Sequence, residues 1–297
     1  MFSNFSIKDL EKLSGIKAHT LRIWEQRYGI LKPKRTDTNI RLYCNDELKQ
    51  LLNIAMLYNN GYKISKIAAL PTNIIIAEVN KLTAKPTEAS NQIDCLIIAM
   101  VELDELKFEK VIANNTLHNG FAATVENVIY PFLQKIGIMW QTGSINPAQE
   151  HFISNLIRQK LIVAIDGVAV SMHSESKKFV LFLPDNELHE LALLFYTYLI
   201  KARGHQVIYL GQSVPMEDLR KVTTLRNTDF IVTVFTQINE VEKYVTKLMN
   251  EFKDQTILLS GHQLFGLKLK LKSNTHIFLN STDLRKQLDL LSSMNTN

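Results

Sequence analysis

KKFVLFLPDNELHELALLFYTYLIKARGHQVIYLG, residues 177–211, holds two short apolar runs separated by a polar loop and an apolar stretch of helical length. This reads as a buried strand, a loop, a helix and a second strand. The alternation continues downstream. A helix is expected near 216–226, a strand at DFIVTVF, a helix near 239–252, a strand at QTILLS, then HIFLN and a final helix. Strands alternating with helices predict a doubly wound, Rossmann-like parallel α/β sheet over residues 173–297. Such sheets bind ligands beyond the carboxyl ends of their strands, where three loops are expected to end: PDNELHEL, the TVFTQ segment and LSGHQ.

His189 falls in the first of these loops or on the first turn of the helix after it. An imidazole there can offer one ring nitrogen to a metal while a nearby carboxylate orients the other, and Asp185, Glu187 and Glu190 are all close in sequence. No second or third ligand accompanies it, which argues against a zinc or iron site built from protein alone. A single axial histidine suits a metal that arrives inside a macrocycle. The other histidines, His118, His173, His205, His262 and His276, show no ligand spacing and read as surface or loop residues.

Upstream, residues 93–172 show helical apolar spacing in four segments, 93–103, 105–117, 121–139 and 146–166, with Gly120 and TGSINP as breaks. Short connections of this kind predict a four-helix bundle. Trp140 closes the third helix, and Glu150 and His151 open the fourth, so an up-and-down bundle places all three at one rim. Such a rim can cover a planar, hydrogen-bonding ligand such as a nucleoside. Packing offers an alternative, in which Trp140 plugs the bundle end, Glu150 caps its helix and His151 is solvated.

The first quarter of the chain is basic. Residues 1–70 carry 12 Lys and Arg against 6 Asp and Glu, whereas the whole 297-residue chain has a net charge of +5. Charge concentrated in this way points to a nucleic-acid module. FSIKDLEKLSGIKAHTLRIWEQRYG, from Phe5, contains two short helical patterns broken at Gly15, with Ser6 as an N-cap and Leu21 facing inward with Trp24 or Ile23. Lys17, His19, Thr20, Arg22 and Arg27 are left on the outer face, where a recognition helix meets the major groove. In LKPKRTDTNIRLYCNDEL the polar TDTN cluster predicts a hairpin, followed by a helix capped by Asn45 or Asp46. Lys34, Arg35, Arg41 and Tyr43 are expected to line the resulting wing and contact phosphates.

No apolar run approaches the ~18 residues of a membrane span, and MFSNFSIKDLEKL lacks a signal-peptide core. Two separated cysteines, Cys44 and Cys95, suggest neither disulfides nor a metal cluster. A cytoplasmic protein is the expectation. Two prolines and a polar end over residues 71–92 place a linker, residues 73–92, between the first domain, residues 1–72, and the bundle.

HTLRIWEQRYG, KPKRT and IRLY, in this order and spacing, resemble the winged-helix DNA-binding domain of MerR-family transcriptional regulators over residues 4–70. Asn39 stands where that wing usually has glycine, and asparagine tolerates the positive φ the turn needs. The long antiparallel dimerisation helix of many such regulators has no counterpart here, so a homodimer or tetramer must assemble by other means. The C-terminal third is similar to the cobalamin-binding domain of methionine synthase and its relatives. Their Asp-x-His-x-x-Gly falls on Glu187-Leu188-His189-Glu190-Leu191-Ala192, their Ser-x-Leu on Thr233-Val234-Phe235, and their Gly-Gly on Ser260-Gly261. Trp140, nine residues, then Glu150 and His151 resemble the light-sensing, adenosylcobalamin-dependent branch of MerR regulators, in which these three contact the upper adenosyl group.

The resemblance implies a repressor that binds double-stranded operator DNA. It implies a cobalamin held between bundle and sheet domain, with cobalt on His189. Ala192 and Ser260 add atoms where the nucleotide tail needs room, and Gln141 replaces the histidine with which the photosensing branch captures cobalt after illumination. Two other outcomes stay open. One is a regulator whose sensor has lost cobalamin and answers to a protein antagonist. The other is a corrinoid carrier subunit of a methyltransferase, although no nucleophile and general base are grouped for independent catalysis.

Overall fold

Ser6 caps α1 (Ile7–Ser14): its hydroxyl accepts from the Asp9 amide while the Asp9 carboxylate accepts from the Ser6 amide at 2.8 Å. The computed structural model describes residues 5–36, 38–83, 89–141, 145–169 and 176–293. His173, the residues 84–88 and 142–144, and the Gln141 side chain lie outside the described part. Two compact units are present, Met1–Leu156 and Ile157–Asn297.

In the first unit Gly15 ends α1 at φ 72°, and α2 (Ala18–Tyr28) follows after a two-residue turn. The Ala18 amide at the start of α2 donates to Glu11. That bond and the Lys17 ammonium hold the Glu11 carboxyl below its ordinary pKa. Leu21 and Trp24 are buried and Ile23 is exposed, so Trp24 is the inward residue. Strands β1 (Lys34–Arg35) and β2 (Arg41–Leu42) form the antiparallel wing, and Asn39 adopts φ 63° at its tip. The helix after the wing, α3 (Asn45–Asn59), is capped by Cys44 rather than by Asn45 or Asp46. The reason is Glu47, which accepts from the Cys44 amide and completes a capping box one residue earlier.

After Gly61 and the short α4 (Ile64–Ile67), residues expected as linker form α5 (Thr72–Thr83), which packs on α3. Ile75 and Val79, one turn apart, are buried by that contact, which outweighs the local proline signal. The bundle comprises α6 (Ala89–Glu102), α7 (Glu105–Asn119), α8 (Phe121–Thr124), α9 (Tyr130–Gln141) and α10 (Pro147–Asp166). Between α8 and α9 a π-helical turn spans Val125–Ile129. It precedes Pro131, which lacks an amide and would crowd an α-helical carbonyl four residues back. Lys135 fixes the bundle to the winged helix, donating to the buried Asp94 carboxylate at 2.9 Å and to the Leu13 carbonyl at 3.1 Å.

In the second unit, β3 (Lys178–Phe182), α11 (Leu191–Lys201), β4 (Gln206–Gly211), α12 (Met216–Arg226), β5 (Phe230–Val234), α13 (Val241–Glu251), β6 (Thr256–Ser260), β7 (Thr275–Ile277) and α14 (Ser281–Ser293) alternate along the chain. The five strands are parallel and ordered β4-β3-β5-β6-β7. Burial of β5 on both faces explains its uninterrupted apolar sequence. The order of strands reverses direction between β3 and β5, which places the topological switch point between the loops that follow them.

Candidate functional site

His189 lies in the loop after β3, two residues before α11, with more than half its side chain exposed. Beneath it Glu187 is fully buried. One Glu187 oxygen accepts from His189 Nδ1 at 2.6 Å and from the His189 amide at 3.1 Å. The other accepts from the Thr236 and Gln237 amides, at 2.8 and 2.6 Å, in the loop after β5. Glu187 therefore ties together the two loops at the switch point. Burial raises its pKa, but the bonds from Gln237, His189 and Thr236 outweigh burial and hold the carboxyl below its ordinary value. An ionised acceptor at Nδ1 places the ring proton there and leaves the Nε2 lone pair bare, the form a transition metal requires.

The loop is held from a third side. Gln212 donates to the Leu188 carbonyl at 2.6 Å, and the Asn186 amide donates to the Ser213 hydroxyl at 3.1 Å. Next to His189, buried Glu190 accepts from Arg158 on α10 at 2.5 Å and from the Tyr209 hydroxyl at 2.6 Å. Burial and then the Glu190 contact push the Tyr209 hydroxyl far above its ordinary pKa, so it remains a donor. Arg158 and Tyr209 were not recognisable as supports in the sequence. They lie far from His189 along the chain, and only folding brings them to Glu190.

Behind the loop, Thr233 Oγ1 is buried on β5 and has no hydrogen-bond partner among the described residues. A buried orphan hydroxyl costs about 1–3 kcal/mol and accordingly invites a ligand atom. Ser260 on β6 contacts the Tyr196 hydroxyl at 3.4 Å, and Ala192 on α11 is half-buried. Gly261 has φ 116°, and a Cβ there would lie 2.1 Å from the Phe235 carbonyl oxygen. Its side-chain space is thus taken by the neighbouring loop. The His189 Nε2 and the Thr233 hydroxyl would fit a corrinoid that takes an imidazole ligand and buries a polar appendage. Among the described residues no group of three or more His, Cys, Asp and Glu gathers as a metal site.

In the first unit, Trp140 is 49% exposed at the end of α9, so it does not plug the bundle. Glu150 does not cap α10 either. Asn146 and Gln149 supply a reciprocal cap instead. Glu150 accepts from Ser154 at 2.6 Å and lies 2.8 Å from His151 Nδ1, which orients the exposed imidazole. Aromatic face, carboxylate and imidazole remain on the surface of the unit.

On the winged helix, Lys17, His19, Arg22, Arg27, Lys34 and Arg35 are exposed, and Thr20 is partly so. Arg41 is largely covered, its Nε bonded to both Glu25 oxygens at 3.0 and 3.2 Å. Tyr43 requires a correction. It is fully buried and donates to Glu25 at 3.2 Å, because its backbone pairs with Phe5 and draws the ring into the core. Its ring is not on the phosphate-facing surface. Of the remaining histidines, His118, His262 and His276 are exposed, whereas His205 is half-buried against Phe179, and burial lowers its pKa.

Residues 5–72 match the MerR HTH family regulatory protein profile, and residues 92–164 match the B12 binding domain profile. The HTH-type transcriptional repressor CarH of Myxococcus xanthus is 27% identical over 234 residues, covering 76% of this chain and 77% of that protein. CarA of the same organism, also an HTH-type transcriptional repressor, is 24% identical over 250 residues, covering 82% and 80%. The HTH-type transcriptional regulator MlrA of Escherichia coli is 36% identical over 69 residues, covering 23% and 28%. The chain thus joins a MerR HTH domain to a B12-binding domain and a parallel α/β sheet, and it is homologous to the transcriptional repressors CarH and CarA.

Proposed function

We propose that this chain is a cytoplasmic transcriptional repressor that binds duplex operator DNA and answers to a cobalamin, most simply adenosylcobalamin. The observation that carries the sensor reading is the buried Glu187 carboxylate, which holds His189 Nδ1 and two backbone amides at the switch point. A bound cobalamin would be held through His189 and would supply a cobalt centre with an exchangeable organic group.

The protein's own residues do the rest. Glu187 fixes the His189 tautomer and ring plane, so Nε2 is presented without reorganisation. Glu190, braced by Arg158 and Tyr209, keeps the following helix start in register. Thr233 offers a buried hydroxyl to the nucleotide end of the ligand. Trp140 offers an aromatic face, and Glu150 and His151 offer hydrogen bonds, to an upper nucleoside. Exposed cations on α2 and β1 neutralise phosphates, and His19 and Arg22 face the base edges.

Ligand-dependent assembly into a dimer or tetramer supplies the switch, because two linked DNA-binding domains gain affinity through effective concentration. Gln141 carries no imidazole, so a light response in this chain runs without a second histidine at that position.

The test is a visible absorption spectrum after incubation with adenosylcobalamin in darkness and removal of free ligand. A retained corrin spectrum, shifted from that of free ligand and absent in His189→Ala, supports the reading. A colourless wild-type protein after incubation with several cobalamins sinks it in favour of control by a protein antagonist. Retained corrin without operator binding favours the corrinoid-carrier reading.

A further inference from the structure

A cleft of about 640 Å³, its open mouth included, lies within the first unit where α3 and α5 meet α6 and α7. Val79 and Ile98 are among its apolar walls, and Lys49, Lys107 and Lys110 converge on it. Lys49 and Lys107 both pair with Glu102, while Lys110 forms no ion pair with any described residue. Asn53 also lines the cleft. The residue is buried, at 6% exposure. Its amide can donate or accept in the same cleft that the Lys110 ammonium borders.

We propose that this cleft is a second effector site that takes an amphipathic anion: a carboxylate or phosphate head on a short apolar body. The head is held by Lys110 and the Asn53 amide, and the body lies against the aliphatic walls. Burial keeps the nearby Cys95 thiol neutral, with its pKa raised to about 12, so the floor does not repel an anion. The position gives the site leverage. α3 belongs to the winged helix, α5 connects it onward, and α6 and α7 belong to the bundle. An occupant that prefers this packing over a looser one shifts the population of DNA-binding geometries by its differential affinity.

Sodium decanoate, followed by calorimetry on the full chain without cobalamin, tests the site. Saturable 1:1 binding is expected, weakened at least tenfold by Lys110→Glu and unchanged by Lys268→Glu, which alters an exposed lysine of the other unit. Asn53→Leu should weaken decanoate without lowering Tm, a pairing that simple misfolding does not produce. Saturating decanoate should shift wild-type operator affinity at least threefold and leave that of Lys110→Glu unmoved. No saturable binding of either decanoate or decyl phosphate, or equal binding by wild type and Lys110→Glu, overturns the site. Saturable binding with unchanged operator affinity overturns its regulatory role.

Discussion

The two groups of residues assigned to the ligand are built in opposite ways. In the sheet unit, His189 stands on a loop whose underlying carboxylate is fully buried and whose backbone is bonded from neighbouring loops. In the helical unit, Trp140 and His151 are exposed, and the partners of Glu150 among the described residues lie on its own helix. The first arrangement is preorganised for one geometry, as a metal ligand must be. The second is an adaptable surface, suited to sensing which group the ligand carries. Under the proposed function, recognition of the corrin and discrimination of its upper group are divided between a rigid element and a permissive one.

The largest expected effect lies on the rigid side. His189→Ala should weaken cobalamin retention by more than about 100-fold and lower Tm modestly, because the buried Glu187 carboxylate loses one donor but keeps the Thr236 and Gln237 amides. Equilibrium ultrafiltration with visible absorbance measures it, and retention near wild type would erase the contrast between the two groups. Next is Glu187→Gln. It leaves the buried amides one acceptor short and frees the His189 tautomer, so affinity should fall about 10- to 100-fold.

That variant also has a pH signature. The Glu187 pKa is lowered on folding, so its stabilising contribution is complete above the ordinary carboxylate range and is lost as pH falls toward the lowered value. Wild type should destabilise on acidification below about pH 4.5, and Glu187→Gln should flatten that limb in thermal melts.

On the permissive side, Trp140→Ala should leave Tm within about 1 °C, since the ring is half exposed and few core contacts are lost. Affinity for adenosylcobalamin should fall about tenfold, while that for cyanocobalamin stays the same. An equal loss for both ligands would show that the tryptophan holds the corrin rather than reading its upper group.

The same contrast of exposed reader and buried support recurs in the winged helix. Arg35→Ala should reduce the salt dependence of operator affinity by about one counterion without affecting folding. Tyr43→Phe should cost about 1 kcal/mol of stability through the lost bond to Glu25 and leave that salt slope alone.

Much was legible in the sequence because the responsible forces are local or periodic. Helical spacing located the four bundle segments, strand alternation predicted the parallel sheet, and Ser6, Gly15 and Asn39 announced their own backbone conformations. Other features were not legible, since they depend on what a residue meets across the fold. Residues 72–83 look like a proline-flanked linker until α3 offers their apolar side a surface. Tyr43 looks like a wing residue until pairing with Phe5 turns it inward.

By itself, then, the sequence determined the order of domains, the strand and helix periods, the basic face of the recognition helix, and the identity of His189 as a lone imidazole beside carboxylates. Only the tertiary structure decided which carboxylate serves it. Glu187, rather than Asp185 or Glu190, meets two amides of the loop after β5, some fifty residues away. Glu190 is instead taken by Arg158 and Tyr209. The physical reason is that spacing along a chain sets which side chains share a face. The partner a buried charge finds is set by the backbone donors that strand order brings beneath it.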